Sequence, residues 1–125
     1  MEIILLIGRI IFGGFFFMTG MMHFKNLKKL TGYASSKNVP APTFSVIISG
    51  LLLFLGGLGI IFNTYLNVSL LLISIFLLLV TPKMHQFWKE TDPNQKMIEM
   101  QQFLKNMALL GATLIIYSLS LGLSF

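Results

Sequence analysis

Between Lys37 and Lys83 the chain carries no charged residue. A stretch of that length cannot clothe itself in water-facing side chains, so its surroundings must be hydrocarbon. It is also too long for a single crossing, since a core of about 30 Å needs roughly 20 helical residues. Turn-forming residues cluster at Asn63-Thr64-Tyr65-Leu66-Asn67, and the break between two crossings belongs there. The remaining sequence agrees. Of 125 residues, 10% are charged and 55% hydrophobic, against the roughly 25% charge of a water-soluble domain. In lipid every backbone N–H and C=O must be satisfied internally, which leaves helices or a closed barrel. The apolar residues come in runs and not in alternation, which excludes the barrel. The expected fold class is all-α, a four-helix transmembrane bundle forming a single membrane domain over residues 1–125.

The spans are expected near residues 3–24, 44–62, 66–88 and 94–124. The third reaches Pro82 early and is expected to continue, kinked, to about Trp88, because proline bends a membrane helix without necessarily ending it. The fourth opens on Asp92-Pro93-Asn94-Gln95, which places a capping residue, proline at the first helical position and glutamine three residues after the cap. Its first turns set Met97, Met100, Phe103, Leu104 and Met107 at helical spacing. At the start of the chain Glu2 stands where a signal peptide would be basic, and Arg9 interrupts the apolar run. The first segment is therefore expected to stay in the mature protein.

Orientation follows from the lysines. Lys25, Lys28, Lys29, Lys37, Lys83, Lys89, Lys96 and Lys105 all belong to the connections after the first and third spans. The positive-inside rule puts both connections in the cytoplasm and both termini outside the inner (plasma) membrane. The net charge of +5 is thus read as membrane orientation, with the lipid bilayer as partner and no nucleic acid. Phe24, Leu27, Leu30, Thr31 and Ala34 oppose Lys25, Lys28 and Lys29, the pattern of a short helix on an anionic leaflet. Gly13 and Gly20, Gly50 and Gly57, and Gly111 and Ser118 share one heptad spacing, expected to mark helix–helix packing.

Few residues offer chemistry. There is no cysteine, so disulfides and thiol redox are excluded. The first turns of the fourth helix are expected to project from the membrane, with its fully buried span starting near Asn106. No carboxylate is therefore expected within a buried span, which disfavours a proton-coupled transporter. His23 and His85, on helices running the same way, are expected at similar depth beside Phe24 and beside Phe87 and Trp88. They read as a haem or metal pair, as polar anchors of a quinone pocket, or as rings at the lipid–water boundary. Two histidines without a third ligand do not make a metal site, and haem is disfavoured. Arg9 either has a partner inside the bundle, with Glu2 a candidate, or snorkels to the outer interface. The Met97–Lys105 stretch either receives a partner protein or lies in the headgroup boundary.

Three segments carry a family resemblance: GMMHFKNLKKLTGYASSKNVPAP (20–42), SGLLLFLGG (49–57) and MHQFWKETDPNQKMIEMQQFLKNMALLGA (84–112). They resemble the DoxX family of bacterial membrane proteins, in order along the chain, and the third is the most specific. The resemblance implies a compact bundle of four membrane helices, and an association with a thiosulfate:quinone oxidoreductase without a settled reaction. Relatives often carry lysine where this chain has His23 and glutamate where it has Leu53. The polar positions retained are Arg9, His23, His85, Trp88, Asp92, Lys105 and Asn106, all but Arg9 expected near one face. Three functions are open: an accessory, non-catalytic subunit of a quinone-linked redox complex, a scaffold for a partner protein, or a binder of a small lipophilic molecule. Catalysis by this chain alone is disfavoured, since no nucleophile–base motif is present.

Overall fold

The structure, a computed structural model, describes residues 2–122. Five helices follow one another: α1 (Glu2–Lys25), α2 (Leu27–Ser36), α3 (Pro42–Phe62), α4 (Leu66–Met84) and α5 (Pro93–Ser120), with a 3-10 turn over Phe87–Lys89. All but α2 belong to segments long and apolar enough to cross a membrane. The short α2 occupies the connection where the sequence pattern places a surface helix, with Lys28 and Lys29 exposed and Ala34 buried. Residues 123 and 124, expected in the last helix, lie outside the described residues, and α5 itself closes at Ser120.

The helices pack in sequence: α1 on α3, α3 on α4 and α4 on α5, with α2 across α3. Two pairs of glycines join α1 to α3. A Cβ built on Gly13 would stand 2.8 Å from the Gly57 carbonyl oxygen, and one on Gly20 would stand 2.7 Å from that of Gly50. Lipid supplies no hydrophobic drive between helices, so this backbone approach, with its dispersion and Cα–H contacts, is what holds the pair. The third expected stripe behaves differently. A Cβ on Gly111 would meet nothing within 4 Å, so that glycine is not a packing point. Beside the glycine seam, Phe16, Leu53, Leu70, Ile73 and Leu77 are fully buried and form the apolar centre.

Turns follow local chemistry. Asn63 adopts φ 52° as the C-cap of α3, a left-handed conformation that asparagine tolerates better than most residues. Asp92 caps α5, its Oδ2 accepting from the Gln95 backbone N–H at 3.2 Å with Pro93 at the first helical position. The third span runs over Leu66–Lys89, but it is broken more sharply than a kink: its α-helix stops at Met84 and helical structure resumes only as the 3-10 turn Phe87–Lys89. Pro82 has no N–H to give, which removes a helical bond close to the end. The chain then leaves the helix at His85, and the Phe87 and Trp88 rings turn onto Phe103 of α5 at centroid distances of 5.4 and 5.8 Å.

Candidate functional site

Because the packing runs from α1 through α3 and α4 to α5, the outer two helices scarcely meet, and a cavity of about 640 Å³ fills the gap between them. Phe15, Phe16, Thr19 and His23 line it from α1, and Gln102, Lys105, Asn106 and Leu109 from α5. α3 and α4 form its back wall, and α2 with Val39 and Pro40 closes one end. That volume holds the head and part of the tail of a lipid-like molecule.

His23 is set into this wall by the glycine seam, for its Cβ lies where a side chain on Gly50 would begin. Its Nδ1 lies 3.1 Å from the Val46 carbonyl oxygen and 3.1 Å from Ser49 Oγ, while the Ser49 hydroxyl donates to the same carbonyl at 3.0 Å. On the opposite wall Asn106 is 8% exposed, and its side chain has no protein partner among the described residues. Lys105 donates to Gln102 Oε1 at 2.8 Å and stands 5.6 Å above the Phe15 ring, a cation–π contact from α5 to α1.

At the end of the cavity lies a buried ionic cluster that the sequence reading missed. Glu99 of α5 is 5% exposed. Its Oε1 accepts from the Tyr33 hydroxyl at 3.0 Å, and its Oε2 faces Lys37 Nζ and His85 Nδ1, each at 3.4 Å. Lys37 also reaches Glu90 at 3.2 Å. Burial, the bond to Glu99 and the charges of Glu99 and Glu90 push the Tyr33 phenol up to about 12, so it remains a proton donor at any cellular pH. Tyr33 and His85 also line the cavity, so the cluster ties the α2 segment and the turn after α4 to α5 around the cavity's end. Glu99 precedes the lipid-buried part of α5 expected from about Asn106, yet it is buried within the protein itself. The signal was present: Glu99, Asn106 and Thr113 recur at seven residues and form the buried face of α5. The methionine-bearing face points the other way, with Met97 61% and Leu104 58% exposed.

The structure brings His23, His85, Lys105 and Asn106 to one cavity and leaves the other sequence candidates elsewhere. Arg9 lies about 21 Å along α1 from His23. Its Nη2 donates to the Ile61 carbonyl oxygen at 3.0 Å, so its bundle partner is an open carbonyl at the end of α3 and not Glu2. Trp88 packs in the aromatic group on Phe103, and Asp92 serves as a helix cap. Among the described residues no group of three or more His, Cys, Asp or Glu side chains is arranged to hold a metal.

A bundle of four helices, each long and apolar enough to cross a bilayer, is the architecture of an integral membrane protein, and here a polar-edged chamber lies between the outer pair. The DoxX family model matches residues 4–86, well over half of the chain, and the protein belongs to that family. The match ends where the turn after α4 begins, so most of segment 84–112, including Glu99 and Asn106, lies beyond it. No curated protein and no solved structure matches the chain.

Proposed function

We propose that this DoxX protein binds one lipophilic molecule with a polar head in the cavity between α1 and α5. The observation that carries this reading is the Asn106 amide, without a protein partner among the described residues and open to an apolar chamber that His23 also lines. A buried polar group without a partner is costly, and a ligand head that bonds it removes the cost. The gap between α1 and α5 gives such a molecule a route from the lipid phase. A quinone in its reduced, hydroxyl-bearing quinol form is the ligand class that combines the family resemblance with this polar wall, which would make the chain an accessory, non-catalytic subunit of a quinone-linked complex.

The test is equilibrium binding of a short-tailed quinol, the reduced form that carries hydroxyl donors, to the purified protein in mild detergent under reducing conditions, together with identification of the lipid that copurifies. The combined variant His23→Ala/Asn106→Leu, checked for helix content, is expected to bind about tenfold more weakly, as loss of one or two hydrogen bonds implies. Unchanged affinity in that variant would sink the assignment of the cavity.

We further propose that the protein sits in a bacterial plasma membrane with its lysine-bearing connections in the cytoplasm. The lysine distribution supports this orientation. With no native cysteine, single thiols report sidedness cleanly. An impermeant maleimide added to intact cells is expected to label Thr64→Cys and to spare Asn94→Cys; the reverse pattern inverts the orientation.

A further inference from the structure

Polar atoms at the cavity wall restrict the kind of head the ligand can have. The Val46 carbonyl oxygen can only accept hydrogen bonds, and the Ser49 hydroxyl directs its proton to that oxygen. The His23 Nδ1, 3.1 Å from both oxygens, therefore meets two acceptors when it carries a proton. Were the proton on Nε2 instead, the Nδ1 lone pair would confront the Val46 oxygen lone pair at that distance. Only the Nδ1–H form satisfies every contact. Among the described residues no carboxylate pairs with His23, so nothing supplies the counter-charge that a doubly protonated ring would need in this setting. The bond made by one ring nitrogen thus sets the character of the other. Nε2 is left with a lone pair and no protein partner among the described residues.

We infer that the cavity selects a lipophilic molecule whose head donates a hydrogen bond, a phenolic or alcoholic hydroxyl, over one whose head can only accept. This inference rests on the cavity being a ligand site and adds the class of ligand. A hydroxyl donates to His23 Nε2, whereas a carbonyl or ether oxygen placed there meets lone pair with lone pair. The Asn106 amide, able both to donate and to accept, discriminates against neither class. Selectivity therefore lies with His23, and Val46 and Ser49 are the positioning groups that impose it.

The experiment compares para-dodecylphenol with its methyl ether, which keeps the ring, tail and oxygen and lacks only the proton. Affinities are measured on the full chain in detergent micelles. The phenol is expected to bind about five- to tenfold more tightly. His23→Phe is expected to abolish that preference. Equal affinity of phenol and ether for the wild type overturns the ligand class while leaving the cavity assignment standing. Binding of neither molecule overturns both. A second measurement leaves His23 itself unaltered: nitrogen-15 spectra of histidine-labelled wild-type protein, with His85→Asn used only to assign the two rings. Protonation of His23 at Nδ1 is the expected result, and protonation at Nε2 overturns the inference.

Discussion

Glu99→Ala is expected to lower the unfolding free energy by about 2–4 kcal/mol, measured by denaturant titration or steric trapping in detergent. The figure begins from the roughly 3–5 kcal/mol cost of breaking a buried ion pair from one side. It is reduced because the Lys37 and His85 side chains keep 20% and 15% exposure and can recover some hydration. Tyr33 loses its acceptor as well, and its hydroxyl has no second bond among the described residues. Most of the loss thus comes from stranded partners, as two further variants are designed to show. Tyr33→Phe in the Glu99→Ala background should recover part of the stability, because the stranded hydroxyl is gone, while Lys37 keeps Glu90 as its partner. Glu99→Gln should cost less than Glu99→Ala, since its amide oxygen still accepts from Tyr33. If Tyr33→Phe adds its own full loss to that of Glu99→Ala, the two are independent and the cluster is not a unit.

The same cluster shows where sequence reasoning reached its limit. Spans and their order were legible because hydrocarbon imposes a length and forbids charge, and the four apolar stretches obey both rules. Asp92-Pro93 was legible because capping is a local matter of four residues. The inward face of α5 was not, since amphipathicity has opposite meanings in water and in lipid. In water the Met97–Met107 stripe would face the core; here Met97, Leu104 and Met107 are exposed, Phe103 is covered by Phe87 and Trp88, and the polar positions Glu99 and Asn106 turn in. Tyr33 and Lys37 lie on or just beyond a short helix, and their meeting with residues more than fifty positions later depends on tertiary packing. His23 and His85 both line the cavity, yet one leans on a backbone carbonyl and the other on a carboxylate. No spacing in the sequence distinguishes those two roles. Arg9 was placed within its span, but its acceptor, a main-chain carbonyl, has no signature in side-chain pattern.

The second large effect is expected at the glycine seam, where structure and binding are coupled. A Cβ on Gly57 would collide with the Phe17 backbone nitrogen and the Gly13 carbonyl oxygen. Backbone cannot rotate aside as a side chain can, so Gly57→Leu must push α1 away from α3. A cost near the top of the overpacking range, about 3 kcal/mol, is expected. Gly111→Leu is the control, because open space surrounds that position and a change within about 0.5 kcal/mol is expected. Gly50→Ala separates packing from binding more finely. Its new methyl would lie 2.7 Å from His23 Cβ and 3.4 Å from the Gly20 carbonyl oxygen, so the histidine is what must move first. A shift there breaks the paired contacts of Nδ1 with Val46 and Ser49 that leave Nε2 free to accept. Gly50→Ala should therefore lose ligand affinity out of proportion to its loss of stability, whereas Gly57→Leu should lose both together. If Gly50→Ala binds as tightly as the wild type while α1 and α3 remain packed, His23 is not held by the seam. The close helix contact would then serve the fold alone.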